Sequence, residues 1–368
     1  MGYEIAVRSR IRPSPYFEAA MKAGVAELTV YNRTYLPAGY GDPEAEYWTL
    51  IDGVQIWDVA AQRQVEIAGP DAGKLVRYLT GRNLQKCRVG QGKYVPLCTH
   101  GGILINDPIL LKHSEEQYWL SIADGDILLW VQAIAAERGF DVVVRDPEVA
   151  PLAIQGPKSV EVARRLFGDE ILSLRHFWFR QAQLDDIEVV VARSGWSKQG
   201  GFELYLLDPA RGGELWQRVI EAGLPFGIRP GAPNPVERIE SGLLSIGTDT
   251  DAQSDPFEAG LGDLIDLGRE DDFVGKTALA RIAATGPRRR RVGLLIDGPP
   301  LAPLWRHVDL HYGGQVVGKA TAVAYSPRLR CNVAMAIIRA DLAEVGRNRA
   351  LTLEGCEANV GVAPFPLI

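Results

Sequence analysis

The stretch Ala192-Arg193-Ser194-Gly195-Trp196-Ser197-Lys198-Gln199-Gly200-Gly201-Phe202-Glu203-Leu204-Tyr205 carries the strongest signal in this chain of 368 residues. Its last four residues are typical of a β-strand that follows a turn. Successive side chains of a strand point to opposite faces, so we expect Phe202 and Leu204 on one face and Glu203 and Tyr205 on the other. The glycine pair before the strand marks a bend or bulge and allows close approach of a flat ligand.

A carboxylate beside an aromatic side chain suits a heterocycle that presents paired N–H donors. Glu203 would hold the edge of such a ring by two charge-assisted hydrogen bonds, and Tyr205 would pack on its face. A polar hairpin loop with one glutamate at a strand edge would contain the same residues. This stretch alone leaves both interpretations open.

The composition is that of an ordinary soluble protein, with 46% hydrophobic and 23% charged residues and a net charge of −6. No apolar run approaches the roughly 20 residues of a membrane span, and the mild acidity argues against nucleic-acid binding. The first ten residues lack the apolar segment of a secretory signal. The four cysteines form no CxxC pair and are too sparse for a disulfide framework. We therefore expect a reduced, cytoplasmic enzyme that binds neither membranes nor nucleic acids.

The familiar catalytic signatures are missing from the sequence: it has no GxSxG elbow, P-loop, HExxH or GxGxxG opening a helix. The five histidines do not have metal-ligand spacing. We expect no metal centre.

A unit of strand, Gly-Pro turn and helix occurs twice, around 65–72 and 152–159. Two such related halves would form a core with a cleft between them, although Gly-Pro after a strand is also common turn chemistry. The alternating runs after residue 286 favour a small, mostly β C-terminal domain. The run Arg288 to Arg291 is interpreted either as a solvated strand edge or as a clamp for an anionic ligand tail.

Several motifs resemble one family, the aminomethyltransferases (glycine cleavage T-protein). They follow the family's order along nearly the whole chain and are Gly101-Gly102-Ile103-Leu104-Ile105-Asn106-Asp107, Arg193 to Ser197 followed by Gly201 to Leu204, Arg238-Ile239-Glu240-Ser241-Gly242-Leu243 and Ser326-Pro327-Arg328-Leu329. Further segments resemble the dimethylsulfoniopropionate demethylase branch, among them Ser197-Lys198-Gln199-Gly200-Gly201 and Pro233 to Ser241. Asn106 replaces an acid of the family motif and Asn234 replaces an arginine. Both replacements fit an enzyme that does not handle an aminomethyl-lipoyl arm.

The resemblance implies an α+β fold with three domains in a cloverleaf, folate in the central channel and a small β-barrel-like C-terminal domain. We expect a discontinuous folate-binding domain (1–52 with 148–275), a second α+β half (53–147) and the C-terminal domain (280–368). Tetrahydrofolate would be the cofactor and a small methylated compound the substrate. A homodimer is one option, and no lipoyl-carrier protein is expected.

The resemblance and the residue types also give the candidate site residues. Glu203, Tyr205, Tyr94, Ser121 and Phe177 would bind folate. Tyr31, Trp57, Trp178 and Trp196 would surround the methyl donor, and Tyr31, Asn106 and Trp196 are the candidates for positioning the reactants. The residues after Asn32 and the bulky Trp178 depart from the demethylase branch, so the donor stays open.

The implied reaction moves a methyl group from a small onium to N5 of tetrahydrofolate. A sulfonium leaves as a neutral thioether, so we expect a cavity without a strong acid or base. The alternatives are an aminomethyltransferase, a demethylase of a quaternary ammonium or methoxy compound, and a non-catalytic folate-binding regulator.

Overall fold

The computed structural model describes residues 9–301, 304, 306–344, 351–353 and 356–367. Its α-helices within these residues are α1 (Phe17–Lys22), α2 (Pro43–Asp52), α3 (Ala72–Leu79), α4 (Leu128–Arg138), α5 (Ser159–Phe167), α6 (Gly212–Gly223), α7 (Pro235–Ser241) and α8 (Lys276–Thr285). Two helix starts follow directly from the sequence, since Asp42 and Asn234 each precede a proline at the first helical position and accept a hydrogen bond from a backbone N–H of the first turn. No helix of the described residues is long and apolar enough to cross a membrane.

Within the part of the chain that the structure describes, the strands form four sheets and a closed barrel. In chain order they are β1 (Glu27–Tyr31), β2 (Thr34–Gly39), β3 (Gln55–Asp58), β4 (Arg63–Ala68), β5 (Gly92–Tyr94), β6 (Leu97–Cys98), β7 (Leu104–Asn106), β8 (Ile109–Lys112), β9 (Gln117–Ile122), β10 (Val143–Arg145), β11 (Ala150–Gln155), β12 (Phe179–Leu184), β13 (Ile187–Ala192), β14 (Gly201–Leu206), β15 (Arg229–Gly231), β16 (Arg289–Ile296), β17 (Val308–Tyr312), β18 (Gln315–Ser326), β19 (Cys331–Arg339), β20 (Leu351–Leu353) and β21 (Cys356–Ala363).

Two large sheets build the body of the protein. One has the strand order β10-β4-β9-β8-β5 and the other β12-β13-β14-β11-β3-β15, while β1 pairs with β2 and β6 pairs with β7. Helix α3 buries Leu75 and Leu79 in one core cluster with strands β4 and β9, and helices α5 and α6 share another core cluster with β11, β13 and β14. The opposite faces of the two sheets meet through Trp119 and Tyr205, whose ring centroids are 6.1 Å apart.

The unit of strand, Gly-Pro turn and helix occurs once in each sheet, as predicted, as β4 to α3 and β11 to α5. Both turns need their glycine. Gly69 and Gly156 have φ of +136° and +113°, and a Cβ would lie 2.7 Å from the Asp141 carbonyl oxygen at the first and 2.6 Å from that of Gly53 at the second. The close approach of a neighbouring segment therefore fixes both turns.

The C-terminal strands close into a barrel with the order β16-β19-β18-β17-β20-β21. This confirms the α+β prediction and the mostly β C-terminal domain. Strand β16 turns Val292, Leu294 and Ile296 into the barrel core. Of the arginine run, Arg288 and Arg290 are exposed, whereas Arg289 pairs with Asp251 and Glu258.

The domain boundaries stay a prediction. The pairing of β3 with β11 and with β15 places Gln55–Asp58 in the six-stranded sheet of the discontinuous domain. This pairing favours moving the first boundary from residue 52 to beyond residue 58, because a strand belongs with the sheet that satisfies its backbone hydrogen bonds.

Candidate active site

A cavity of about 630 Å³ lies where both sheets, the β1-β2 hairpin, α7 and the first barrel strand come together. That volume falls within the usual range for small-molecule sites. Its walls include Trp57 and Glu203 from the six-stranded sheet, Ser121 from the five-stranded sheet, and Arg238 and Arg291 from α7 and β16. Elements from along most of the chain thus contribute to one cavity.

Glu203 supplies a buried carboxylate to the cavity wall. It lies in the middle of β14, and its Oε2 accepts hydrogen bonds from the hydroxyls of Ser194 and, at 3.4 Å, Tyr205. Burial raises the pKa of Glu203, and hydrogen bonds from Ser194, Gln62 and Tyr205 oppose that rise. Phe202 and Leu204 point to the other face and enter the core, as strand alternation predicts.

A second acidic group, Asp107, also lines the cavity. The Tyr94 hydroxyl donates a hydrogen bond of 2.6 Å to its Oδ2. Burial raises the pKa of Asp107 to about 7, against the opposing effects of the Tyr94 hydrogen bond and the nearby charge of Arg291. We expected a cavity without a strong acid or base, and the residue after Asn106 adds to this cavity a carboxyl group whose pKa is raised to about 7.

Aromatic side chains form another part of the wall. Tyr31, Trp57 and Trp196 all line the cavity. The Trp57 indole N–H donates a hydrogen bond of 2.8 Å to Oε1 of Gln55, which fixes the ring. The Arg238 guanidinium lies 5.9 Å from the centroid of the Trp196 ring. Such faces can hold a cation, each at roughly 0.5–2 kcal/mol.

Three cationic side chains reach the cavity: Lys198, Arg238 and Arg291. Arg238 is neutralised by Asp249 at 2.6 Å. The Arg291 guanidinium donates to the carbonyl oxygens of Ala259 and Gly242, each at 2.9 Å. Among the described residues no carboxylate lies within ion-pair distance of Arg291, so this half-buried cation is available to an anionic ligand group.

The β1-β2 hairpin covers one side of the cavity, with Thr29 and Tyr31 on its inner face. Its outer face leaves Leu28 and Val30 exposed. The tip is tied down by Asn32, whose backbone N–H donates to Oδ1 of Asp124 at 2.9 Å. This tie joins the hairpin to the loop after β9.

The structure brings most of the sequence-predicted site residues to this one cavity. Those that line it are Tyr31, Trp57, Tyr94, Ser121, Phe177, Trp196 and Glu203.

Three predicted residues do not line the cavity. Tyr205 lies behind Glu203, and its hydroxyl donates a hydrogen bond to the carboxylate. Its ring does not line the cavity because it is buried between the sheets. Trp178 packs against the core of the six-stranded sheet. The preceding residue, Phe177, has φ of +59°, and it is the ring of Phe177 that lines the cavity. These positions do not agree with the prediction that the Tyr205 ring stacks on the ligand. They also do not agree with the prediction that Trp178 contacts the methyl donor.

Asn106, the third, is a structural residue beside the cavity. Its amide donates to the carbonyl oxygens of Asp124 and Gly125, each at 2.8 Å, and its Oδ1 accepts from the Asp107 backbone N–H. Asn234 caps α7 through hydrogen bonds of 3.0 Å from the N–H groups of Val236 and Glu237. Both asparagines are thus explained by backbone hydrogen bonds.

Asp107, Arg238 and Arg291 were not among the predicted site residues. Asp107 and Arg238 lie inside two of the motifs that resemble the family, and their position in those motifs could have indicated a role in the site. Arg291 belongs to the arginine run, and strand alternation alone could not tell which of the four would face a cavity. Among the described residues no group of three or more His, Cys, Asp and Glu side chains is placed to hold a metal ion.

Fold and cavity together define a class: an α+β protein with a C-terminal barrel and a site lined by carboxylates, aromatic rings and an arginine that has no carboxylate partner among the described residues. Residues 16–269 match the model of the GCVT N-terminal domain, and residues 289–368 match that of the glycine cleavage T-protein C-terminal barrel domain. The chain belongs to the glycine cleavage T-protein family.

Named relatives agree with this assignment. Dimethylsulfoniopropionate demethylase of Ruegeria pomeroyi is 40% identical over 331 residues, which cover 89% of this chain and 90% of that protein. An aminomethyltransferase of Desulfitobacterium hafniense is 27% identical over 97% of this chain and 98% of its own length. The crystal structure of the aminomethyltransferase of Bartonella henselae has the same fold, with a TM-score of 0.86 at 21% identity, covering 97% of this chain and 98% of that one.

The protein is therefore an enzyme of folate-dependent one-carbon transfer, with tetrahydrofolate as its cofactor. The cavity fits that cofactor chemically. Glu203 offers a buried acceptor for the paired N–H donors of the pterin edge, and Arg291 offers a cation for a carboxylate.

Proposed function

We propose that the protein transfers a methyl group from a small methylated onium, dimethylsulfoniopropionate or a close analogue, to N5 of tetrahydrofolate. The observation that carries the proposal is the composition of one cavity, in which the Glu203 carboxylate and the aromatic side chains Tyr31, Trp57 and Trp196 form the walls. The resemblance to the demethylase of Ruegeria pomeroyi supports the donor class.

Glu203 would bind the pterin through its N–H edge, since an ionised carboxylate accepts two parallel hydrogen bonds well. Ser194 and Tyr205 hold the carboxylate in place. Tyr94, Ser121 and Phe177 would line the rest of the folate site. Tetrahydrofolate supplies the nucleophile, a secondary amine that is neutral at pH 7.

Tyr31, Trp57 and Trp196 would hold the positive sulfonium of the donor by cation–π contacts. The donor's carboxylate needs a cationic partner, and Lys198 is exposed at the cavity wall two residues after Trp196. This arrangement would select a compact molecule with one positive and one negative end.

The transfer breaks the bond between sulfur and the methyl carbon and forms one between that carbon and N5. The electron pair of the broken bond stays on sulfur, which leaves as a neutral thioether, and the proton on the methylated N5 then passes to water. The protein must mainly align the three atoms, with N5 and the carbon about 3–3.5 Å apart. An ionised Asp107 in the same cavity would stabilise the positive charge that develops on N5.

The test is an incubation of the purified protein with tetrahydrofolate and a panel of donors, followed by chromatographic detection of 5-methyltetrahydrofolate. The panel holds dimethylsulfoniopropionate, a quaternary ammonium analogue of the same length and a methoxy compound. We expect product with the sulfonium and no carrier protein present. The absence of product with every methylated donor would reject the proposal.

Aminomethyl transfer and demethylation of a methoxy compound are kept as second candidates because of Asp107. Both reactions require proton transfer, and a carboxyl group with a pKa near 7 can act as acid or base. Formation of 5,10-methylenetetrahydrofolate only in the presence of an aminomethylated lipoyl carrier would identify the first, and turnover of the methoxy compound the second. A folate-binding regulator would bind tetrahydrofolate and turn over no donor.

The predictions of a cytoplasmic enzyme, of a possible homodimer and of independence from a lipoyl carrier belong to this proposal. Its assays are therefore run with the single purified chain.

A further inference from the structure

Gln155 is a buried residue at the end of β11 whose side chain forms hydrogen bonds on both sides of Trp196, to Ser194 and to Ser197. Its Nε2 donates to the carbonyl oxygen of Ser194 at 3.2 Å. Its Oε1 accepts a hydrogen bond of 2.8 Å from the Ser197 hydroxyl. The amide is fully buried, so both bonds form away from competing water.

Two glycines allow the chain to pack directly on this amide. A Cβ at Gly195 would overlap with Nε2 and Oε1 of Gln155, and a Cβ at Gly201 would overlap with the same amide and lie 2.7 Å from the carbonyl oxygen of Ile154. Gly201 is also the cross-strand partner of Gln155 in the sheet. The segment between the glycines is therefore shaped around the Gln155 side chain.

That segment links Glu203 to the aromatic wall of the cavity. At its start the Ser194 hydroxyl bonds to Glu203, and in its middle Trp196 lines the wall. Its far side is held by Glu237, whose Oε1 accepts from the Lys198 backbone N–H at 2.9 Å and from the Gln199 side chain at 3.0 Å. Gln155 itself does not line the cavity.

We infer that Gln155 is a positioning residue for the transfer, because its amide sets the place of Trp196 relative to Glu203. The inference rests on the proposed function, in which Glu203 orients the acceptor and Trp196 contacts the donor. Alignment of the reacting atoms contributes strongly to the reaction rate, and a displacement of about 1 Å can lower the rate about 10²-fold.

The test variant is Gln155→Met, which keeps the length of the side chain and removes its hydrogen bonds to Ser194 and Ser197, together with a 3.3 Å bond to the carbonyl oxygen of Ile154. We expect kcat to fall at least tenfold, while the dissociation constant of tetrahydrofolate, measured by calorimetry, changes less than threefold. Hydrogen exchange of the peptide spanning residues 194–200 should accelerate, since its anchoring bonds are gone. Unchanged kcat, or a loss of rate fully explained by weaker folate binding, would overturn the inference.

A second variant, Ser197→Ala, removes the hydrogen bond to Oε1 from the other side and keeps the inference testable if Gln155→Met does not fold. We expect a three- to tenfold lower kcat with an unchanged melting temperature, and no further loss when it is added to Gln155→Met. Wild-type kcat in Ser197→Ala, or fully additive effects in the double variant, would contradict the role of Gln155.

Gln64→Met is the matched control. Gln64 is also buried on a strand, and neither its Nε2 nor its Oε1 has a hydrogen-bond partner among the described residues. We expect its kcat within twofold of the wild type, and a loss comparable to that of Gln155→Met would count against positioning. The wild-type protein is assayed alongside. If it forms no 5-methyltetrahydrofolate, the proposed function fails, whereas normal wild-type turnover with an unaffected Gln155→Met rejects only this inference.

Discussion

Tyr94 donates a hydrogen bond of 2.6 Å from its hydroxyl to Oδ2 of Asp107 inside the cavity. The two residues come from β5 and from the turn after β7, and neither strand pairs with the other. Their contact places a tyrosine donor on a buried carboxyl group whose pKa is raised to about 7. The protonation state of Asp107, and with it the charge of the cavity wall, therefore changes across the neutral pH range.

Asp107→Asn tests what this carboxylate contributes. In the wild type we expect kcat to rise with pH through about 7, as Asp107 loses its proton and the carboxylate begins to stabilise positive charge on N5. The variant should lose about ten- to hundredfold in kcat above pH 8 and show no rise near pH 7. The measurement is a pH–rate profile with saturating substrates.

Tyr94→Phe is the companion variant. Its hydrogen bond favours the charged form of Asp107, so its removal should move the midpoint of the profile to higher pH. A midpoint that stays in place, or moves down, would show that another group titrates.

Glu203→Gln tests the pterin contact. The variant keeps the shape of the side chain and replaces charge-assisted hydrogen bonds by neutral ones, which are weaker by roughly 1 kcal/mol each. We expect the affinity for tetrahydrofolate to fall about tenfold or more in calorimetry. Glu27→Gln, which changes another carboxylate of the cavity wall, should bind within twofold of the wild type. Equal affinities of all three proteins would remove Glu203 from the folate site.

The sequence predicted well those parts of the site that depend on neighbouring residues. Strand alternation was enough to place Glu203 on the opposite face of β14 from Phe202 and Leu204, since successive side chains of a strand point to opposite faces. Residue type and resemblance suggested Trp178 as a donor contact, and neither carries information on the positive φ of the preceding residue, Phe177.

Other parts depend on contacts between distant segments. Asp107 reaches the same cavity as Arg291 only because the barrel packs against the body of the protein. The bond from Asn32 to Asp124 spans 92 residues. Local patterns carry no information on such contacts. The motif resemblance covered nearly the whole chain and indicated one shared site, but it did not name Asp107 or Arg291.

Arg291→Gln tests whether the unpaired arginine binds the glutamate of folate. A cation without a carboxylate partner among the described residues should gain a charge-assisted bond on ligand binding, worth roughly 1.5–3 kcal/mol. We therefore expect tetrahydrofolate to bind at least tenfold more weakly to the variant. Tetrahydropteroate, which lacks the glutamate, should bind equally to both proteins. A parallel loss for the two ligands would show that Arg291 acts on the cavity and not on the tail.

Asp58 gives a prediction about stability. It is buried at the end of β3, where its carboxylate accepts hydrogen bonds from the Ser14 hydroxyl and the Ala60 backbone N–H. Burial raises the pKa of Asp58 to about 6 in the folded protein, with those two bonds opposing the rise. The folded state therefore holds this proton more tightly than the unfolded state, in which the pKa is about 3.9.

The sign of the effect follows from this difference in proton binding. The contribution of Asp58 to the free energy of unfolding is largest below pH 4, falls as the pH rises from about 4 to 6, and is constant above that range. The Asp58→Asn side chain cannot ionise, so the free energy of unfolding of this variant should not decrease in that way. Relative to the wild type, its free energy of unfolding should therefore be higher at pH 8 than at pH 4 by on the order of 1–3 kcal/mol. Urea unfolding of both proteins at the two pH values measures the change. Glu27→Gln, which changes an exposed carboxylate, serves as the control. A difference between Asp58→Asn and wild type that is the same at pH 4 and pH 8 would mean that Asp58 does not titrate in this range.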